Sequence, residues 1–117
     1  MAIIAYNDDP SALLNAIKKA VDNDKIETWS YDEDGDFTHT APQWNSRAWL
    51  RPRILLDRLV FNIVPPQTKT ISREVYGIYH GRFIEMLLTH FDGKFTKVYA
   101  TAMPTRNDRV KPSVTED

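Results

Sequence analysis

The chain has 117 residues, of which 42% are hydrophobic and 26% are charged, and its formal net charge is −1. This length and composition predict one globular domain with an apolar core rather than a disordered chain. The chain has no cysteine, which excludes disulfides, a thiol nucleophile and a zinc site with cysteine ligands. The apolar run at residues 2–6 is too short for a membrane span or a signal peptide, so we expect a soluble cytoplasmic protein that binds no membrane.

Charge is distributed unevenly along the chain. Residues 1–36 carry nine acids and three lysines, whereas residues 37–117 carry seven acids and twelve bases. This asymmetry is either neutralised within the fold or steers a charged partner. A nucleic-acid-binding domain usually has a clear basic excess, so the overall charge argues against nucleic acid as the partner.

Hydrophobic periodicity predicts two helices and about five strands. Asp9 and Pro10 form a helix start, and the first helix extends to about Asp22. Residues with β-forming side chains predict strands at 25–31, 36–40, 47–55, 59–64 and 94–103. A tight turn at residues 56–58 separates two of these strands, and residues 2–6 are either a short strand or an arm packed on the core.

The predicted order is helix, four strands, helix, strand. Hairpin-like links make the first four strands antiparallel, so we predict an α+β, two-layer domain in which two helices cover a mainly antiparallel sheet. We place this single domain at residues 1–103. From residue 104 to residue 117 the chain is polar and has no periodicity, and we expect a disordered tail there.

The turn at residues 32–36 is acidic and resembles the start of an EF-hand calcium loop. The twelfth position of such a loop would be Ala41 instead of glutamate, so we interpret the segment as a hairpin turn and predict no metal site. Two registers remain possible for the pairing of the two strands that flank this turn. A three-residue loop with a left-handed Gly35 places Trp29 on the same face as Phe37, and a two-residue loop reverses this pairing.

The second helix is predicted over residues 72–91 and has an apolar arc of about 220°, so we expect neighbours on most of its sides. His80 lies within this arc, close to Tyr76. Gly77 and Gly81, one turn apart, leave room for a second backbone or a ligand. His80 is either a core histidine bonded to a backbone carbonyl or the floor of a pocket where it performs acid–base chemistry with Tyr76. We favour the core interpretation.

The strand at residues 47–55 places four notable side chains on one face: Arg47, Trp49, Arg51 and Arg53. Three guanidinium groups and an indole can bind phosphates or carboxylates and stack on a base. Alternatively, the arginines pair with the acidic first third of the chain and prevent unwanted strand pairing. We favour this second interpretation, and the four residues remain the best candidate binding surface.

The sequence has no serine elbow, phosphate-binding glycine loop or dinucleotide fingerprint. We therefore expect a small binding protein without its own catalysis and without a cofactor, whose partner is another protein or a second copy of the chain in a homodimer. Its size and polarity fit a bacterial inhibitor or immunity-type partner protein, by analogy of class. The alternatives are a small hydrolase or isomerase with a pocket at His80, and a single-stranded nucleic-acid-binding protein that acts through the arginine–tryptophan strand face.

Overall fold

The structure is a computed structural model, and it describes residues 2–111. Its elements are β1 (Ala2–Tyr6), α1 (Pro10–Asp22), β2 (Trp29–Tyr31), β3 (Phe37–His39), β4 (Trp49–Ile54), β5 (Arg58–Val64), α2 (Arg73–Phe91) and β6 (Lys97–Ala100). A short 3₁₀ turn at Asp92–Lys94 links α2 to β6. The strands form one six-stranded antiparallel sheet in the order β2-β3-β4-β5-β1-β6. The predicted α+β class is confirmed, and the N-terminal segment adds a sixth strand.

β1 holds the two halves of the sheet together. It pairs antiparallel with β5 on one side and with β6 on the other, so β5 and β6 run parallel to each other. α2 is the connection that carries the chain from β5 across to β6. Ile3 and Ala5 face the helices and are fully buried, which explains why this short apolar segment is a strand instead of a loose arm.

The core lies between one face of the sheet and the two helices. Leu13 and Ile17 come from α1, and Tyr79, Phe83 and Leu87 come from α2. The strands contribute the residues that alternate along the chain and point towards the helices, namely Ile3, Ala5, Leu50, Leu59, Phe61 and Ile63. Alternation along each strand therefore decides which side chains reach the core and which remain on the opposite face.

Both helices begin where the sequence predicts. The side chain of Asp9 accepts a hydrogen bond from the Ala12 N–H, and the hydroxyl of Ser72 accepts one from the Val75 N–H at 3.2 Å. α2 is enclosed on one side only, since Leu88 on its outer side is 47% exposed. The expectation of neighbours on most of its sides was too broad, because the sheet packs against only one side of the helix.

The hairpin of β2 and β3 adopts the register expected for a left-handed glycine. Trp29 lies opposite His39, and Tyr31 lies opposite Phe37. Gly35 has a φ of 83°, a conformation that glycine adopts without steric cost. The aromatic side chains of this hairpin therefore face the helices.

The segment after β6 returns to the sheet, where the Arg109 N–H donates to the Ile63 carbonyl oxygen at 2.9 Å and the carboxylate of Asp108 makes several further contacts. Asp108 accepts hydrogen bonds from Nδ2 of Asn62 at 3.0 Å and from the Ile63 N–H at 3.1 Å. It also accepts from the N–H and the hydroxyl of Thr105, both at 2.7 Å. The Asp108 side chain and the backbone hydrogen bond of Arg109 together join the C-terminal segment to β5.

We expected the domain to end at residue 103 and residues 104–117 to form a disordered polar tail. Residues 105–110 instead contact β5 and the start of α2, where the Ile71 N–H donates to the Val110 carbonyl at 2.7 Å. Residues 112–117 lie outside the described residues. Val110 packs against the core, and the other contacts of residues 105–110 are made by polar groups. Since this segment has no hydrophobic periodicity, the sequence pattern does not show these contacts.

We expect Asp108→Asn to destabilise the protein near neutral pH, because the amide places a donor against the Thr105 N–H. Burial raises the pKa of Asp108, but hydrogen bonds from Thr105 and Asn62 outweigh this effect, and the pKa is lowered from its ordinary value of 3.8. A carboxyl with a lowered pKa in the folded state contributes stability above its unfolded value and loses it as the pH falls through the folded value. Urea denaturation should show a loss of about 1–3 kcal/mol in the free energy of unfolding near pH 7.

The same measurement supplies the check on this assignment. The difference between wild type and Asp108→Asn should shrink as the pH falls below 3.8, where the wild-type carboxyl becomes protonated. A difference that does not change across this range would show that the charge of Asp108 has no role in holding the C-terminal segment.

Candidate functional site

The sheet face opposite the helices is the best candidate site, and we call it the open face. The strand registers place twelve side chains on it, namely Trp49, Arg51, Arg53, Arg58, Val60, Asn62, Val64, Ala2, Ile4, Tyr6, Lys97 and Tyr99. Within residues 2–111, both helices pack on the other face. Val60 and Asn62 are nevertheless buried, and the side chain of Asn62 donates hydrogen bonds to Thr105 and Asp108 of the C-terminal segment. A ligand would therefore contact the longer side chains around this floor.

The open face is cationic. Strands β4, β5, β1 and β6 contain four basic residues and no carboxylate. The registers bring all four bases to the open face: Arg51, Arg53, Arg58 and Lys97. Four of the nine acids of the first third of the chain lie in α1 or at its ends, in the other layer, whereas Asp32 and Asp36 line the open face beside Arg51. The fold thus separates part of the acidic charge from these four cations.

Arg51 is held by an acidic residue of the neighbouring turn. Its Nε lies 3.2 Å from Oδ1 of Asp36, and its Nη2 lies 2.9 Å from Oδ2. The Asp36 side chain is 6% exposed and that of Arg51 is 52% exposed. Arg53, two residues along β4, forms no ion pair with any of residues 2–111. The predicted pairing of strand arginines with the acidic first third therefore holds for Arg51, and Arg53 is free to contact a ligand.

A cluster of two tyrosines and two cations occupies one end of the open face. The rings of Tyr6 and Tyr99 stack with their centroids 6.3 Å apart. The ammonium of Lys97 lies 5.0 Å from the centre of Tyr6 and 5.7 Å from that of Tyr99, and the guanidinium of Arg58 lies 5.9 Å from Tyr6. A hydrogen bond with Tyr6 raises the pKa of Tyr99, so its ring stays uncharged at neutral pH. These four residues, the tyrosine–cation cluster, combine stacking surface with positive charge.

A depression of about 570 Å³ lies at the other end of the open face. Trp49 and Val64, which are partners across β4 and β5, both line it. Its wall includes Arg51, Pro65 and Arg109. An indole and two guanidinium groups thus share one concave surface with the carboxylates of Asp32 and Asp36. The volume of this depression lies in the usual range for small-ligand sites.

The structure separates Arg47 from the other three predicted residues. Arg47 precedes β4 and follows Ser46, which has a positive φ of 58°. It lines a different depression, of about 400 Å³, together with Lys69 and Ser72 near the start of α2. The sequence placed Arg47 in the strand because its alternation with Trp49 is unbroken, but the backbone turns before the strand begins.

His80 and Tyr76 pack against each other in α2. His80 is 4% exposed, its ring stacks on that of Tyr76 at 4.4 Å, and its Nδ1 lies 2.9 Å from the Tyr76 carbonyl oxygen. Burial raises the pKa of Tyr76, and the charge of Asp108 acts in the same direction. Neither residue lines the depression beside Trp49 or the one beside Arg47. This geometry is that of a core histidine bonded to a backbone carbonyl.

His39 is the second buried histidine, at 1% exposure. Its Nδ1 accepts a hydrogen bond from the Ala41 N–H at 3.3 Å, and its Nε2 lies 3.4 Å from Nη1 of Arg82. Burial and the charge of Arg82 lower the pKa of His39, so the ring is neutral at neutral pH. Both ring nitrogens thus have neighbours in the fold, which gives His39 a structural role.

The acidic turn uses its carboxylates within the fold. Carboxylate oxygens of Asp32, Asp34 and Asp36 lie within 4.8 Å of one another. However, Asp32 accepts hydrogen bonds from the N–H groups of Asp34 and Asp36, both at 3.0 Å, and Asp36 binds Arg51. These contacts are those of a hairpin turn.

Four residues of the open face were not singled out in the sequence: Tyr6, Arg58, Lys97 and Tyr99. Lys97 and Tyr99 alternate with apolar neighbours, so their common face was visible, but nothing local showed that β1 lies beside them. Arg58 was interpreted as a turn residue, whereas it opens β5. Sheet register was the information that the sequence lacked.

Comparisons with protein families, with curated proteins and with solved structures find no match. Among residues 2–111, neither helix combines the length and the apolar composition that crossing a bilayer requires. The geometry of the open face is therefore the basis on which a function can be inferred.

Gly77 and Gly81 lie on the exposed side of α2. An added Cβ at either position would meet no atom within 4 Å. With Arg82 and Glu85 they line a shallow depression of about 220 Å³. Within the described part of the chain, then, no other segment uses the space that the glycines leave.

Replacing both glycines by alanine should stabilise the protein, because Ala is favoured over Gly inside a helix by about 0.8–1.0 kcal/mol per residue. We expect the free energy of unfolding of Gly77→Ala/Gly81→Ala to rise by about 1–2 kcal/mol in urea denaturation, with no change in mass by light scattering. A loss of stability together with a fall in mass would instead place the two glycines in a homodimer interface.

Proposed function

We propose that the protein is a small binding protein without catalysis of its own, and that the open face contacts its partner. The observation that carries this proposal is the composition of that face, where four cations and no strand carboxylate accompany Trp49, Tyr6 and Tyr99. Tryptophan, tyrosine and arginine are the residues that most often dominate binding energy at interfaces. Because the chain has no cysteine, we place the protein in the cytoplasm.

The turn between β4 and β5 supports a contact role for the same end of the sheet. Leu56 is 94% exposed in this turn, between Arg53 and Arg58 in the sequence. Ile54, which pairs with the core residue Leu59 on the other face of the sheet, is 49% exposed. Exposed apolar side chains bordered by charged residues are typical of surfaces that bind partners. The apolar turn and the cationic strands are contiguous, so one partner can contact both.

The alternative function, a hydrolase or isomerase at His80, has less support. His80 is buried, and its Nδ1 is bonded to the backbone of its own helix. A raised pKa keeps the phenol of Tyr76 protonated at neutral pH, which makes it a poor general base. The contacts of both side chains are accounted for by packing.

Site-specific photo-crosslinking in native cell lysate tests the proposal. A benzoylphenylalanine at the position of Tyr99 reports on the open face, and one at the position of Leu88, which has a similar exposure, reports on α2. We expect adducts from position 99 only. Excess wild-type protein should compete with adduct formation, and an excess of Arg53→Glu/Lys97→Glu should compete at least about tenfold less well.

Equal adduct yields at both positions would contradict the proposal, as would equal competition by the wild type and the double variant. Digestion of the adducts with nuclease or protease shows in addition which class of partner is bound. The full-length chain is used throughout, with circular dichroism to confirm that each variant is folded.

A further inference from the structure

We propose that the open face binds single-stranded nucleic acid, with bases stacked on its aromatic side chains and phosphates bound by its cations. This inference rests on the proposed function and names the ligand of the same surface. Proteins that bind single strands combine a positively charged path with aromatic side chains on which successive bases stack. The open face has both components.

The stacking surfaces lie at the two ends of the face. Tyr99 is 38% exposed on the edge strand β6, and Trp49 lines the depression at the far end of β4. Tyr99 is level with Arg53 across the sheet, and Arg53 is four residues from Trp49. With strands about 4.8 Å apart and a rise of about 3.3 Å per residue, the two rings are separated by about 20 Å. This span exceeds one nucleotide, so the ligand is an oligomer.

The cations lie at the Tyr99 end of the face: Arg53 is level with Tyr99, and Lys97 and Arg58 lie two residues beyond it, away from Trp49. Arg53 has no ion pair within residues 2–111, and Lys97 lies above the tyrosine rings. Arg58 has only the exposed Asp57 of the adjacent turn as an ionic partner within residues 2–111, at 2.7 Å. An exposed pair of this kind contributes little, so a phosphate can replace the carboxylate. Three guanidinium or ammonium groups are thus available for a phosphate backbone.

A single strand fits this surface better than a duplex. In a duplex the faces of the bases are stacked on one another, and only a single strand can place them on Tyr99 and Trp49. The overall charge of −1 does not describe the face itself, because the fold places α1 and the acids at its ends in the helical layer. The expectation that nucleic acid is not the partner was based on the net charge of the whole chain, whereas a ligand contacts only the charges of one face.

Fluorescence anisotropy with labelled oligo(dT) and oligo(rU) of about 12 nucleotides, and with a duplex of equal length, tests this inference. We expect both single strands to bind and the duplex to bind more weakly. With about three phosphates neutralised, raising the salt from about 50 to 200 mM should weaken binding about 15- to 20-fold.

Variants separate stacking from charge. Tyr99→Ala should weaken binding at least about fivefold and leave the salt dependence unchanged, while Tyr99→Phe retains the ring and the affinity. Arg53→Ala and Lys97→Ala should each weaken binding and reduce the slope of log affinity against log salt by about 0.7. Lys19→Ala, on the exposed side of α1, is the matched control and should leave binding unchanged.

The inference would be overturned by no anisotropy change with either single strand at low salt, by tighter binding of the duplex, or by equal losses in Lys97→Ala and Lys19→Ala. Heparin carries negative charge without bases. If it binds as tightly as the oligonucleotides and Tyr99→Ala does not weaken oligonucleotide binding, the face recognises charge alone and the inference is wrong. If the oligonucleotides fail while crosslinking from position 99 persists, the proposed function stands and the partner is a protein.

Discussion

The packing of Phe83 determines which face of the sheet is covered. Its ring lies edge-on to those of Trp29, Phe37 and Phe61, at centroid distances of 4.9, 5.6 and 4.6 Å. One side chain of α2 therefore contacts three different strands, and each such aromatic pair contributes about 0.5–1.5 kcal/mol beyond burial. The strand residues that carry these rings all point to the same face of the sheet, so α2 packs on that face. The side chains that alternate with them point to the open face, on which α2 does not pack.

The register of β4 connects this packing to the charge of the open face. A shift by one residue would turn Arg51 and Arg53 towards the helices, where an unpaired guanidinium is costly to bury. The fold thus requires the open face to be polar along β4. The fold does not require that all the charged residues of β1, β4, β5 and β6 be basic. A binding function explains this excess of positive charge.

Local patterns predicted the elements of this fold, and long-range pairing was out of their reach. Asp9, Ser72 and Gly35 specified two helix starts and a turn, because a cap or a left-handed residue acts on its own neighbours. The place of β1 between β5 and β6 depends on residues that are distant in sequence, so the meeting of Tyr6 with Lys97 was not predictable. The bonds of Asp108 to β5 were missed for the same reason.

Protection of strand edges is the structural alternative for a cationic sheet face, and the positions of the cations decide how far it applies. Lys97 lies in the edge strand β6. Arg51 follows Leu50, the residue at which β4 pairs with β3, so that side of β4 is unpaired from Arg51 onward. Both cations can therefore discourage the addition of another chain. Arg58 lies in β5, which is paired on both sides by β4 and β1. Edge protection gives no reason for a cation there, whereas a binding surface that includes Tyr6 does.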